Sequence, residues 1–351
     1  MFSKSNVYIN QIKDFADIPI EWGCFKNKAF FITGASGLIG TFLVDALIYA
    51  SKAYGLNTKI YAVGRNEGTA KKRFSEHWNN DNFSFIGQDV NLPINTDVRC
   101  DYIIHGASNT HPVAYASDPI GTIEANVTGT QNILEFASRQ KNAKVMFMSS
   151  VEVYGENRGD TEKFGESYCG YIDCNTLRAG YPESKRLGEA LCQAYIQAKG
   201  LDIVIPRLSR VYGPTMSQGD SKAIAQFIRK AAGKEDIVLK SKGNQLYSYT
   251  YAADAASAIL YILLYGKNGE AYNVSDENSE ITLKELAETL AKISGAKVIF
   301  ELPDEIEASG YSKATKAVLD NTKLKSLGWM CKYDIKKGLR ETVEIICEKI
   351  R

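Results

Sequence analysis

The 351-residue chain has no apolar run long enough to cross a membrane. Its longest, near AILYILLYG (258–266), stops far short of the roughly 20 residues a spanning helix needs. The opening stretch MFSKSNVYINQIKDF lacks the apolar centre of a secretory signal. Charge of one sign is also missing. The 42 Lys and Arg nearly balance 41 Asp and Glu, leaving a net charge of +1. That balance argues against a nucleic-acid or anionic-membrane partner. Cysteines are few and scattered, at 24, 100, 169, 174, 192, 331 and 347. Cys169 and Cys174 are close, but no second pair completes a zinc site, so no metal is expected. The thiols read as reduced and the protein as cytoplasmic. There is no internal repeat and no low-complexity segment.

What remains is an ordinary globular composition, 44% hydrophobic and 24% charged. The length fits one large domain or two intimate ones, with a full core. Residues 1–27 read as an extension docked through Trp22 and Phe25. KAFFIT (28–33), KIYAVG (59–64), YIIHGAS (102–108), AKVMFMSS (143–150) and DIVIPRLS (202–209) read as strands. Helical spacing separates them at 38–55, 123–139 and 181–200. This alternation predicts an α/β fold with a doubly wound parallel sheet. The expected division is a dinucleotide-binding part, 28–209, with 244–266 returning to it. A smaller mixed α/β substrate-binding part takes 210–243 and 267–351. Its amphipathic helices, 282–295 and 335–350, are expected to cover the substrate pocket.

The stretch TGASGLIG places Gly34, Gly37 and Gly40 three residues apart, between a buried strand and a helix. Small residues there let the backbone approach a pyrophosphate, and the helix aims its first amides at it. A plain strand-to-helix turn is the alternative, but the flanking elements favour a nucleotide site. Downstream, FMSSVEVYGE (147–156) reads as a strand ending at the ligand-binding edge of the sheet. Alternation along it would put Ser150 and Glu152 on one face. Tyr181 and Lys185 share a helix face at i and i+4. Pro182 is tolerated only if Tyr181 lies at the helix start. A lysine near a phenol favours the phenolate and makes the tyrosine a usable base.

This ordered set, T-G-x-x-G-x-x-G, a Ser/Thr strand and Y-x-x-x-K, resembles the extended short-chain dehydrogenase/reductases, the NAD-dependent epimerase/dehydratase family. The segments EVYGE, ESYCGYIDCNTLRAGYPESKR and ASNTHPVAYASDPI resemble its UDP-glucuronate decarboxylase branch most. The resemblance implies Tyr181 as base and Ser150 as the hydroxyl that binds the sugar 4-OH. It implies Lys185 on the nicotinamide ribose and Glu152 as a catalytic carboxylate. The cofactor, NAD or NADP, is expected on Gly34, Ser36, Gly37, Leu38, Ile39, Gly40, Arg65, Asp89, Val90, Ala107, Tyr181 and Lys185. Pro112, Tyr115, Arg178, Arg210 and Tyr247 are the expected substrate residues. His105 and His111 read as structural or pocket-wall residues. A homodimer is implied through helices 123–139 and 181–199, which keep Ile133, Leu134, Phe136, Leu187, Leu191 and Tyr195 as apolar surplus.

The sequence departs from that pattern in three places. Tyr247 stands where the family carries an arginine, and a second arginine is absent near KAVLD (316–320). Both normally grip a diphosphate. Arg210 replaces an asparagine. The second strand ends Gly64-Arg65 rather than in an acidic residue, which favours NADP over NAD. The implied activity is transient C4 oxidation of a nucleotide sugar, decarboxylase-like. A 4-epimerase, a 4,6-dehydratase, or an NADPH-dependent reductase of a sugar phosphate remain open. A nucleotide-sensing regulator would need neither Tyr181 nor Lys185.

Overall fold

Four apolar residues, Ala29 to Ile32, followed by Thr33, set the centre of the architecture. The computed structural model describes residues 2–110, 112–301 and 315–350. After α1 (Asn6–Ala16), these residues form β1 (Ala29–Thr33), followed by α2 (Leu38–Ala53) and β2 (Lys59–Gly64). Then come α3 (Glu67–Arg73), β3 (Phe83–Gly87), β4 (Tyr102–His105), α4 (Pro112–Ser117) and α5 (Pro119–Ser138). β5 (Lys144–Phe147), the two-residue β6 (Ser149–Ser150), α6 (Gly180–Lys199) and β7 (Asp202–Leu208) complete the anticipated set.

The main sheet runs β3-β2-β1-β4-β5-β7, every neighbouring pair parallel. β6 continues beside β7. Along β1, Phe30 and Ile32 enter one core cluster and Phe31 the other. The strand therefore needs apolar residues on both faces, which explains its unbroken run. The chain winds outward from β1 in both directions, so the carboxyl ends of β1 and β4 form the switch point where such sheets bind ligands.

The amino-terminal segment forms α1, capped by Ser5, with Tyr8, Ile12 and Phe15 buried against the core. Trp22 and Phe25 anchor it as expected; Phe25 is fully buried against Phe30 and Tyr102. Burying one such ring contributes on the order of 1.5–3 kcal/mol.

The second half uses β8 (Arg210–Tyr212), α7 (Ala223–Ala232), β9 (Ile237–Leu239), β10 (Leu246–Tyr251) and α8 (Ala252–Tyr265). It continues through β11 (Ala271–Val274), β12 (Glu280–Thr282), α9 (Leu283–Ser294), β13 (Val298–Phe300) and β14 (Lys316–Ala317). β10 is the hub of a second sheet with β8, β12 and β14, while β9 pairs β13. The segment 244–266 is thus split. α8 packs on α2 and β7, but β10 belongs to the smaller sheet. β11 joins the main sheet beside β7, so the stretch after 267 is divided as well. The C-terminal helix Ile335–Ile350 does not cover the pocket. It packs against α7, α9 and α1. No helix among the described residues is long and apolar enough to cross a membrane.

Candidate active site

The glycine loop closes tightly on itself. Gly34 has φ 68°, in the left-handed region that favours glycine. A Cβ on Gly34 would lie 2.6 Å from the Gly106 carbonyl oxygen, and one on Gly40 only 2.5 Å from that of Gly34. Both glycines therefore let backbone meet backbone. Gly37 is different. A Cβ there would meet only the Gly34 carbonyl, at 3.1 Å, and the residue lines open space. Gly37 caps α2 with no side-chain bond to the first-turn amides. These uncapped N–H groups at a helix start suit a pyrophosphate, so the loop fits the dinucleotide its sequence implies.

Thr33 fastens the loop to β4. Its hydroxyl accepts the amides of Gly106 (3.1 Å) and Ala107 (3.2 Å) and bonds His105 Nδ1 at 2.9 Å. His105 Nε2 reaches Thr130 at 3.2 Å. Burial, and then the nearby Lys185 charge, hold the His105 pKa down at about 3. His105 is thus a neutral structural residue, as anticipated. His111 lies outside the described residues.

The catalytic candidates converge from two elements. α6 begins at Gly180, so Tyr181 and Pro182 sit in its first turn, where a proline costs no helical hydrogen bond. Tyr181 is buried, with the Ser150 hydroxyl close enough to lower its pKa. Its ring stacks on Tyr115, centroids 4.7 Å apart. Burial pushes the Tyr181 pKa up to about 12; the Ser150 hydroxyl and Arg178 pull it down, and Glu152 pushes it further up. The expected help from Lys185 is not present in this geometry. Lys185 Nζ donates to the Met148 carbonyl at 2.9 Å and lies 6.0 Å from the Tyr181 ring centre. A four-carbon side chain can reach either way, and here the backbone carbonyl wins. Burial holds the lysine's own pKa at about 8.

Glu152 also differs from expectation. The strand ends at Ser150, and Val151–Tyr154 form a 3₁₀ turn closed at Gly155 with φ 70°. Strand alternation therefore does not relate Ser150 to Glu152, although both line the same cavity. Glu152 accepts a bond from Arg178 Nη2 at 2.8 Å and lies 4.0 Å from Arg210 Nη2. Arg178 sits over the Tyr115 ring at 5.3 Å, and Arg210 lies on Tyr247 at 3.4 Å from the ring centre. Burial raises the Tyr115 and Tyr247 pKa values, so both phenols stay neutral.

Every other expected site residue lines one cavity of about 1560 Å³; the side chain of Pro112, the first residue of α4, lies outside the described ones. Typical small-molecule pockets occupy roughly 300–1,000 Å³. This one has room for two ligands end to end. Ser36, Leu38, Ile39, Arg65, Asp89, Val90 and Ala107 line the glycine-loop half. Sequence reading missed the far wall, where Lys222, Arg229, Lys230, Lys240 and Gln245 line the cavity. Arg229 bonds the Asp220 carbonyl through Nη2. Basic residues in a loop and a single helix carry no motif, so only the fold could bring them to the site. Among the described residues, no group of three or more His, Cys, Asp or Glu could hold a metal.

The dimer residues need revision. Ile133, Leu134 and Phe136 are each about 1% exposed, packed inside the core. The large apolar residues left exposed on α5 and α6 are Ile120, which lines the cavity, and Ile123 and Leu187.

Comparison with known proteins agrees with this geometry. The model of the NAD dependent epimerase/dehydratase family matches residues 30–275. The chain is 30% identical over 329 residues to UDP-glucuronic acid decarboxylase 1 of Xenopus tropicalis, covering 93% of this chain and 74% of that one. It is 30% identical over 317 residues to UDP-glucuronic acid decarboxylase 5 of Arabidopsis thaliana, covering 90% and 88%. Among solved structures, a UDP-glucose 4-epimerase from Thermotoga maritima superposes with a TM-score of 0.78 at 23% identity, over 92% of this chain and all of that one. A dTDP-glucose 4,6-dehydratase from Streptomyces venezuelae gives 0.78 at 23%, over 91% and 97%. The fold, the loop and the matched span agree: the chain belongs to the NAD dependent epimerase/dehydratase family and is an NAD(P)-dependent enzyme.

Proposed function

We propose that the protein is a nucleotide-sugar enzyme of the UDP-glucuronate decarboxylase type, a lyase. The observation that carries this reading is the grouping of Ser150, Tyr181 and the Glu152 carboxylate on one cavity wall. An epimerase needs the hydroxyl and the phenol. A carboxylate beside them serves chemistry at the neighbouring carbons. The two relatives at 30% identity are named for that decarboxylation.

Bound in the glycine-loop half, a nicotinamide cofactor supplies reversible oxidation at the sugar C4. The protein's own work is to place and move protons. Ser150 holds the C4 hydroxyl against Tyr181, which removes its proton and later returns it. A ketone at C4 lies β to the C6 carboxylate. Breaking the C5–C6 bond then releases carbon dioxide and leaves the electron pair in an enolate. Glu152 stands beside this group, where its carboxylate relays a proton from water to C5. Lys185 and the uncapped first-turn amides of α2 hold the cofactor. Tyr115 on α4 walls the sugar.

Arg65 is exposed at the end of β2 and supports a preference for NADP. That residue also favours a second reading, net reduction by dissociable NADPH. Seven free cysteines fit a cytoplasmic enzyme. Ile123 and Leu187 support a homodimer through α5 and α6, and the change from cofactor to substrate part at residue 209 is kept, with α8 and β11 returning to the cofactor part. A panel of nucleotide sugars and sugar phosphates, together with mass identification of any cofactor released on denaturation, tests this reading. Consumption of a sugar phosphate only with added NADPH would replace it with the reductase.

A further inference from the structure

We infer that Arg178 and Arg210 form a clamp for an acidic group of the substrate, and that Glu152 occupies its mouth until that group arrives. The inference rests on the nucleotide-sugar reading and names which chain groups would select an anionic ligand. Two guanidinium groups share one carboxylate: Arg178 Nη2 at 2.8 Å and Arg210 Nη2 at 4.0 Å. Counted as charges, two cations face one anion, so the cluster lacks one negative group.

The hydrogen bonds lead to the same conclusion. Arg178 Nη1 and Arg210 Nη1 are both buried, and neither has an acceptor among the described residues. Buried charged donors without acceptors are costly, so a cavity that keeps two of them has an acceptor to receive. Aromatic faces fix both groups, Tyr115 for Arg178 and Tyr247 for Arg210. At 3.4 Å from the ring centre Arg210 is in stacking contact with Tyr247, which leaves its N–H edges for oxygens, the geometry that binds carboxylate or phosphate in pairs. The sheet register explains this stack. Arg210 on β8 pairs Tyr249 on β10, two residues from Tyr247, so Arg210 and Tyr247 share a face. Both arginines line the cavity that holds Ser150 and Tyr181, so the anion belongs to the reacting molecule.

Two sources offer this chemistry, a carboxylate on the sugar or the diphosphate. Calorimetry on protein loaded with NAD or NADP, whichever it binds, wild type against Arg210→Gln, separates them with UDP-glucuronate and UDP-glucose. At least a tenfold loss for UDP-glucuronate is expected. If UDP-glucose keeps its affinity, the clamped group is the carboxylate; if both fall alike, it is the diphosphate. Equal affinities of mutant and wild type for both sugars overturn the clamp. If neither sugar binds the wild type, the nucleotide-sugar reading fails, and the clamp is read separately with inorganic pyrophosphate and with free glucuronate. One of these must then raise the wild-type Tm and leave that of Arg210→Gln unmoved; no difference overturns it. Should the glutamine variant fail to fold, Arg210→Lys keeps the charge without the paired donors and is expected to lose affinity in the same pattern. Unchanged binding by the lysine variant would count equally against the clamp.

Discussion

The ring of Tyr115 lies on the ring of Tyr181, centroids 4.7 Å apart and planes inclined by 23°. This stack fixes the phenol beside Ser150 and shields it from water. It also separates what the ring does from what the oxygen does. Tyr181→Phe keeps the stack and removes only the oxygen. Turnover is expected to fall by about 10²–10⁴, the range of a single acid–base group, with cofactor affinity retained. Steady-state rates and a cofactor titration check both halves. A variant keeping more than about a tenth of the activity would remove Tyr181 from the chemistry.

The glycine loop makes two opposite predictions for two similar substitutions. Gly37→Val has space for its side chain apart from one contact at 3.1 Å, so the protein should fold yet fail to bind the dinucleotide. Gly40→Val drives a side chain into the carbonyls of Gly34 and Ala35, at 2.5 and 2.7 Å, so it should lower Tm as well. Thermal unfolding with and without cofactor distinguishes them. Equal Tm values for the two variants would contradict the assignment.

Glu152→Gln keeps the shape of the side chain and discharges the ion pair with Arg178. Oxidation at C4 should persist, because Ser150 and Tyr181 are untouched, while product formation falls by about 10²–10⁴. On rapid mixing with substrate, the absorbance of reduced nicotinamide should rise and remain. Wild-type product rates would reduce Glu152 to a positioning role.

Burial of His105 links stability to acid. Its folded pKa, about 3, lies below the ordinary 6.5, so between those values the unfolded chain binds the extra proton. Stability is therefore present above about 6.5 and is lost as pH falls toward 3, by about 1.4 kcal/mol per unit. Asp254, its pKa raised to about 7 by burial, acts in the opposite direction over part of this range. The comparison is therefore wild type against His105→Gln. The stability difference between them should shrink steadily as pH is lowered, and a pH-independent difference would contradict the neutral, buried histidine.

Much of this was readable from residues because it depends on local pattern. Unbroken apolar runs marked the central strands, the 34-37-40 glycines marked the loop, and Pro182 fixed the start of α6. β3 was missed because FSFIG is short and half-exposed at the sheet edge. The turn at Val151 was missed because VEVY carries strand propensity, which the left-handed Gly155 overrides. Lys185's partner depends on which of two acceptors a flexible chain reaches, and no spacing encodes that. Ile133, Leu134 and Phe136 looked surplus because the sequence does not reveal that α5 is covered on more than one side.

The central claim is loss of carbon dioxide from a nucleotide sugar acid, and mass spectrometry of a single reaction tests it most directly. Purified protein incubated with UDP-glucuronate and NAD, or NADP, should give a UDP-pentose lighter by the mass of carbon dioxide, with the gas released in equal amount and no net cofactor consumed. A product of unchanged mass but altered retention would mean epimerisation. Unaltered UDP-glucuronate with either cofactor, in protein that binds that cofactor, would contradict the account.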